Sequence, residues 1–276
     1  MKKNQLDYDL INILNKCHNP NISGIWDRRG LVYGHVQSGK TANYVGLINR
    51  AFDHGYKIII VLTGMTEDLR KQTQERVDMA VKSTLNDKIN RGTNVGAEDM
   101  SGDVGKEILN SLLANISHKE KSIWVIKKNK TVLETLIVWV HEQIKKQGGD
   151  TLSNCPFLII DDEADNASIQ SLSKKDFEEW EIAFELQKKE EDELTDKEKE
   201  IKKQAQEKVI KAINRNIRAL LSLIDQKTFV GYTATPYNIV VQEYEDIDNR
   251  PITIKHPISK TDIKLKITAG DLFPEH

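Results

Sequence analysis

The segment that most constrains this chain runs from Gly34 to Thr41 and reads GHVQSGKT. It matches the phosphate-binding loop G-x-x-x-x-G-K-[ST] at every defined position. A short apolar run, residues 30–33, comes before it, and a helix-compatible segment, residues 42–52, comes after it. A strand, a glycine-containing loop and a helix N-terminus in this order form a cradle for phosphate groups. The chain is therefore expected to contain an α/β nucleotide-binding domain.

The residue types in this loop suit a nucleoside triphosphate with its magnesium ion. Gly34 and Gly39 have no side chain, which lets backbone N–H groups approach the phosphate oxygens. Lys40 reaches the outer phosphates, and the Thr41 hydroxyl is placed to bind Mg²⁺. We predict that the nucleotide site is formed by Gly34, Gln37, Ser38, Gly39, Lys40 and Thr41.

Composition excludes several other classes of protein. The chain has 40 basic and 42 acidic residues among 276, a net charge of −2, so any contact with nucleic acid requires a local groove. Its two cysteines, Cys17 and Cys155, have no Cys or His neighbours at ligand spacing, which disfavours a zinc site or a disulfide framework. No apolar run approaches the roughly 18 residues of a membrane span. We expect a cytoplasmic protein with no membrane partner.

Apolar runs typical of buried strands alternate with segments of helical periodicity along the chain. This alternation predicts an α/β domain with a mostly parallel sheet, helices on both faces and right-handed crossovers. Residues 1–24 are expected to be an amphipathic helix and its lead-in, residues 25–240 the nucleotide-binding lobe, and residues 241–276 a C-terminal extension with one hairpin. Strands are predicted at 57–63, 122–126, 157–160 and 227–232, and helices at 66–81 and 132–144.

Carboxylates follow the run 157–160 at four of the next five positions: Asp161, Asp162, Glu163 and Asp165. Such residues are unfavourable inside a sheet but useful at the carboxyl ends of strands, where α/β folds bind ligands. One carboxylate there can hold Mg²⁺ while its neighbour orients or deprotonates a water molecule. Either Asp161 with Asp162 or Asp162 with Glu163 can form this pair.

Residues 174–225 are predicted to form a charged helical insertion. No glycine occurs between Gly149 and Gly231, and the sequence TDKE from Thr195 onward is a capping box. We expect a helical hairpin whose apolar half, residues 209–224, docks on the lobe. Its outer half is either a solvated charged surface or an arm that binds a partner or separates strands.

Two threonines, Thr233 and Thr235, follow the last predicted strand of the lobe. Hydroxyl groups at this place are expected near the phosphates and the carboxylates. Hydrogen bonds from them can couple the state of one group to that of the other.

Three of these strings together resemble motifs of the first, RecA-like, ATP-binding lobe of superfamily-two helicases, in the same order: residues 34–41, 162–165 and 233–235. More specifically, GHVQSGKT, IDDEADNAS (160–168) and GYTATPY (231–237) are similar to the helicase-like region of the Z-one domain family. Members of that family are described as predicted endonucleases of prokaryotes and their viruses and are linked to defence. The resemblance covers most of residues 25–240.

The resemblance implies specific roles. Lys40 would bind the phosphates of ATP, Thr41 and Asp162 would hold Mg²⁺, and Glu163 would be the general base. This choice selects Asp162 with Glu163 as the metal and water pair. Thr233 and Thr235 would couple hydrolysis to movement on nucleic acid, with DNA favoured over RNA as the partner. Residues 66–72 take the place of a motif that touches the nucleic-acid backbone, although their sequence fits it poorly.

The sequence differs from the helicase pattern because it lacks a recognisable second lobe. Neither a second RecA-like lobe after residue 240 nor a nuclease cluster is recognisable, so the arginines that stabilise the transferring phosphoryl group are expected from another lobe or a partner subunit. The chain is then expected to be a fragment, a truncated reading frame or one subunit of a split enzyme, with residues 241–276 truncated before a second lobe. The alternative is a nucleotide-gated interaction module that binds ATP but does not hydrolyse it alone.

Overall fold

The computed structural model describes residues 3–34, 39–64, 67–84, 89–91, 93, 121–164, 195, 212–234, 250–270 and 272. Strands and helices alternate through most of this length, as the sequence predicts. The described helices are α1 (Lys3–Lys16), α2 (Lys40–His54), α3 (Glu67–Thr84), α4 (Lys130–Gln147) and α5 (212–222). The described strands are β1 (Trp26–Tyr33), β2 (Ile58–Thr63), β3 (Asn90–Arg91), β4 (Ser122–Lys127), β5 (Phe157–Asp162), β6 (Gln226–Thr233), β7 (Ile252–Lys255) and β8 (Asp262–Leu265).

Six of these strands form one sheet in the order β1-β6-β5-β2-β4-β3, and every neighbouring pair is parallel. The chain first moves from β1 outward to β2 and the edge strand β3, and then returns through β4 to fill the middle of the sheet with β5 and β6. Helices of the outward half pack on one face of the sheet, and helices of the returning half pack on the other. Crossovers of a single hand produce this arrangement, so the prediction of an α/β fold with helices on both faces is confirmed.

Both faces of the sheet are covered by apolar layers. On the first face, α1, α2 and α3 cover alternate residues of the central strands, among them Ile59, Val61 and Ile160. On the second face, α4 and α5 cover the intervening residues, such as Ile60 and Ile159. A strand with apolar neighbours on both sides has no solvent-facing position, which explains the continuous apolar runs in the sequence.

Local signals set the ends of the helices. The Asn129 side chain accepts hydrogen bonds from the N–H groups of Thr131 and Val132 and so begins α4, and Gly148 ends it with a left-handed backbone, φ 71°. The predicted docking of residues 209–224 is confirmed for the part described, because Ile213, Ile217 and Leu220 are buried. The outer part of the predicted hairpin lies outside the described residues, as do Gln37, Ser38 and Thr235 of the predicted site.

One strand departs from the sequence prediction in an informative way. We expected β5 to end before its carboxylates, but the strand includes both Asp161 and Asp162. Asp161 pairs in the sheet with Leu62 on one side and Gly231 on the other, and it is only 3% exposed. A buried carboxylate within a sheet requires a compensating partner, which is described below.

The C-terminal residues described form an antiparallel hairpin, β7–β8, as the weak alternation predicts. Its buried residues join the apolar layer of α4 and α5. Two arginines of α5 fasten this segment, because Arg218 donates to the carbonyl of Ala269 and Arg215 donates to the carbonyls of Arg250 and Pro251. Within the described ranges, none of the helices has the length and hydropathy that a membrane span requires.

Helix α1 provides a test of this packing. Leu10 is 3% exposed and lies against Gly46 of α2, where an added Cβ would come within 2.6 Å of the Leu10 side chain. Replacing Leu10 with alanine should lower the free energy of unfolding by about 2–4 kcal/mol, because the cavity cannot fully close. Equilibrium urea unfolding measures this loss.

The control variant is Ile11→Ala on the same helix, since Ile11 is 45% exposed. It should change the free energy of unfolding by no more than about 0.5 kcal/mol. Equal losses for the two variants would contradict the packing of α1 on α2.

Candidate nucleotide-binding site

The predicted site residues lie at the carboxyl edge of the sheet, where three adjacent strands end together. The N–H of Gly34, just after β1, donates to the carbonyl of Thr233 at the end of β6, at 3.0 Å. The N–H of Ala164, just after β5, donates to the carbonyl of Tyr232, at 2.9 Å. Strand β6 therefore joins the start of the phosphate-loop segment to the acidic turn, which we define as residues 161–164 and which comprises the end of β5 and the turn after it. These two segments are more than a hundred residues apart in sequence.

The N-terminus of α2 has the features of an anion cradle. Gly39 precedes the helix with a left-handed backbone, φ 85° and ψ 24°, and as a glycine it has no side chain with which to cap the first N–H groups. Among the described residues beyond its chain neighbours, nothing lies within 4 Å of where a Cβ on Gly39 would be, and the first turn carries no acidic residue. Uncapped N–H groups and the helix dipole both favour an anionic ligand at this position. This observation fits a phosphate group.

Strand alternation separates the two aspartates of β5. Leu158 and Ile160 pack on the face covered by α2, whereas Phe157 and Ile159 pack on the opposite face. By the same period of two, Asp162 belongs to the α2 face and Asp161 to the other. Asp162 is thus the aspartate on the same face as Lys40 and Thr41, which are the first residues of α2.

Tyr44 of α2 links this helix to Asp162. Its side chain is fully buried, and Thr41, Thr73 and Asp162 lie close to its hydroxyl. Burial, reinforced by the negative charge of Asp162, raises the pKa of the Tyr44 phenol. Within the described residues, this hydroxyl makes no hydrogen bond of standard geometry. A hydroxyl of Thr41 and a carboxylate of Asp162 around one space are oxygen ligands of the kind that Mg²⁺ prefers.

Asp162 is held in an environment that disfavours its charge. Burial, followed by the neighbouring Glu163 carboxylate, raises the pKa of Asp162, and the Lys128 ammonium offsets this only in part. A cation bound here would relieve both effects, because it supplies the missing positive charge. The electrostatics of the ligand-free site therefore also fit a metal ion.

Asp161 has a structural partner. Its Oδ1 accepts a hydrogen bond from Nζ of Lys128 at 2.9 Å, and the two side chains are 5% and 1% exposed. The carboxylate of Asp161 is thus neutralised on the face opposite α2. Of the two pairs that the sequence left open, Asp161 with Asp162 thus includes a carboxylate that Lys128 already pairs.

Glu163 has an unusual backbone. Its φ is 60°, in the left-handed region that residues other than glycine rarely adopt. This conformation turns the chain out of β5, and the Glu163 carboxylate lies beside the end of β2. An added Cβ on Gly64 would be 3.7 Å from Glu163 Oε2. Backbone strain of this kind is frequent at functional sites.

Strand β6 also contacts α2 through side chains. Tyr232 donates a hydrogen bond to Asn43 Oδ1 at 2.9 Å, and its ring meets that of Tyr44 edge-on at 5.7 Å. Thr233, the predicted coupling residue, is fully buried at the end of this strand. The predicted site residues that the structure describes are Gly34, Gly39, Lys40, Thr41, Asp162, Glu163 and Thr233, and all lie at this edge.

Sequence reasoning missed three contributors to this edge: Lys128, Asn43 and Tyr44. Lys128 follows an apolar strand as the second of two lysines, and nothing in the sequence separates it from its neighbour Lys127. Asn43 and Tyr44 are buried positions of an amphipathic helix, so only their place in the first turn after Thr41 hinted at a role.

Two further side chains near the predicted motifs are used in packing. Arg70, within the segment compared with a nucleic-acid motif, is completely buried and pairs with Glu67, which also pairs with Lys127. Trp26 lies at the opposite end of β1, where it stacks on His18 with ring centroids 4.4 Å apart. Both side chains serve the packing of the fold.

The two aspartates should respond oppositely to the same substitution. Asp161→Asn should lower the free energy of unfolding by about 3 kcal/mol, because it leaves the Lys128 ammonium buried without its carboxylate. Asp162→Asn should raise the free energy of unfolding at pH 7. A raised pKa means that the ionised carboxylate is less favourable in the folded chain than in the unfolded chain, so removing the charge stabilises the fold.

Urea unfolding without divalent cations measures both changes. The gain from Asp162→Asn should vanish near about pH 3, where this carboxyl group is protonated in the folded and unfolded chain alike. Tolerance of Asp161→Asn, or a loss of stability in Asp162→Asn at pH 7, would contradict the assignment of the two faces.

The sequence was compared with protein-family models and with curated proteins. No protein-family model matches the chain, and no curated protein matches it.

Proposed function

We propose that this chain binds ATP with Mg²⁺ and hydrolyses it, as the ATP-binding lobe of a helicase-like ATPase. The observation that carries the proposal is the side-by-side position of an uncapped helix N-terminus and an acidic strand end. The phenol of Tyr44 lies beside both Thr41 and Asp162, so the two halves of the site face one space. Phosphate-loop ATPases use the same two halves, a glycine loop with its Lys and Thr and a carboxylate after a neighbouring strand.

In this proposal each residue has one task. The first N–H groups of α2, with Gly39 and Lys40, bind the phosphate oxygens. Thr41 and Asp162 hold Mg²⁺, which supplies positive charge to the phosphoryl oxygens when it is bound. Glu163 accepts the proton of the attacking water as general base. Its left-handed backbone supports this role, because it takes the carboxylate out of the strand alternation that places Asp161 and Asp162 on opposite faces.

The motif strings extend the proposal to nucleic acid. We propose that ATP hydrolysis depends on DNA and that a second RecA-like lobe or a partner subunit supplies the arginines. A link to an endonuclease and to defence rests on the similarity of the three strings to the Z-one domain family.

Lys40→Ala should abolish measurable binding of ATP in the presence of Mg²⁺, because the variant loses the cation that reaches the outer phosphates. Isothermal titration calorimetry with a slowly hydrolysed ATP analogue measures the affinity. The control is Lys57→Ala, since Lys57 lies just before β2 at the opposite edge of the sheet. Wild-type protein that binds no nucleotide would refute the proposal, and so would Lys40→Ala protein that binds as tightly as wild type.

Glu163→Gln should keep nucleotide affinity within about threefold of wild type and lower kcat at least about a hundredfold. The amide keeps the size of the side chain but cannot accept the proton. Phosphate release with and without single- and double-stranded DNA measures the effect. Undiminished hydrolysis by Glu163→Gln would remove Glu163 from the role of base. Wild-type protein that binds ATP but never hydrolyses it, with any DNA, would instead support the nucleotide-gated interaction module.

A further inference from the structure

Lys128 is a buried ammonium group whose three N–H donors all reach the acidic turn. Its side chain is 1% exposed, and Nζ donates to Asp161 Oδ1 at 2.9 Å. It also donates to the carbonyl of Asp162 at 2.9 Å and to the carbonyl of Glu163 at 2.7 Å. A lysine ammonium has three donors, so these contacts use its full capacity. Three consecutive residues of one turn are thus held by one atom.

The backbone around Lys128 is itself fixed. Lys128 lies directly after β4, and its N–H donates to the carbonyl of Thr63 at the end of β2, at 3.4 Å. The next residue, Asn129, caps α4. Because β2 lies between β4 and β5 in the sheet, the Lys128 side chain crosses the end of β2 to reach the acidic turn. The ammonium is therefore anchored on an element separate from the turn that it holds.

Two of the three hydrogen bonds from Lys128 are made to backbone carbonyls and are not needed to neutralise Asp161. A lysine that only neutralised Asp161 would need its carboxylate and nothing else. The carbonyls of Asp162 and Glu163 both point at Nζ as well, and they flank the residue with φ 60°. A left-handed backbone at a glutamate is unfavourable unless its surroundings hold it. The ammonium donates a charge-assisted hydrogen bond to each of these carbonyl groups.

We propose that Lys128 is a positioning residue that holds the backbone of Glu163 in this conformation and so sets where its carboxylate lies. The proposal rests on the proposed function, in which Glu163 is the general base. Lys128 acts through the turn and does not touch the substrate. Nucleotide binding depends on α2 and Asp162 and should change little in variants that keep the charge around Asp162 balanced, whereas the rate of the chemical step should fall.

The main test is the double variant Lys128→Met with Asp161→Asn, which removes both charges together and leaves neither one buried alone. Lys127→Met is the matched control, because Lys127 is the adjacent lysine and pairs with Glu67 on α3. Lys128→Arg is a second variant that keeps the positive charge beside Asp161. The variant should fold, because it keeps this charge. It should still lose activity, because a planar guanidinium cannot direct three donors from one atom.

Two measurements are made on each variant. The first is hydrogen exchange of the Ala164 amide in protein without nucleotide. Ala164 directly follows Glu163, and its N–H donates to the carbonyl of Tyr232. The second is kcat and KM for ATP with Mg²⁺. In the double variant, exchange at Ala164 should speed up at least about tenfold. The kcat should fall about ten- to a hundredfold, with KM within about threefold of wild type. Lys127→Met should change each quantity by less than about twofold.

These outcomes separate the proposal from its premise. Unchanged kcat in folded Lys128→Arg and double-variant protein would overturn the positioning role, even if exchange at Ala164 increases. Unchanged exchange would show that Lys128 does not hold the turn. If wild-type protein binds ATP but hydrolyses none, or binds none, the proposed function fails. In that case the exchange comparison alone decides whether Lys128 holds the backbone of Glu163.

Discussion

The candidate site depends on β6, the strand that lies between β1 and β5. Its last two residues accept hydrogen bonds from Gly34 and from Ala164, one on each side. Without this strand, the phosphate-loop segment and the acidic turn would be separate features of a large sheet. Because all the strands of this sheet are parallel, their carboxyl ends meet at one edge, and the polar residues that follow them gather there.

Two adjacent aspartates have different tasks because a strand sends successive side chains to opposite faces. Asp161 is neutralised by Lys128 and serves the fold, whereas Asp162 faces the first turn of α2, where burial and the neighbouring Glu163 carboxylate disfavour its charge. The site therefore combines a buried ion pair with an adjacent carboxylate whose charge is disfavoured by its surroundings. Burial makes the first pair costly to break and makes the second group ready for a cation.

Much of this arrangement was predictable from local patterns. The continuous apolar runs indicated the parallel sheet, and the glycine loop indicated the start of α2, because both signals depend on neighbouring residues only. Lys128 was not predictable, since its partners are more than thirty residues away and belong to a strand that is not adjacent in the sheet. The local pattern likewise could not distinguish the roles of Asp161 and Asp162, because these roles depend on which face of the sheet each helix covers.

The left-handed backbone at Glu163 has a consequence for how this position is selected. Glycine and asparagine adopt that conformation at lower cost than glutamate does. A sequence optimised for folding alone would carry one of those residues at position 163. Under the proposed function, the glutamate is kept for its carboxylate, and the chain retains a less favourable backbone at this position.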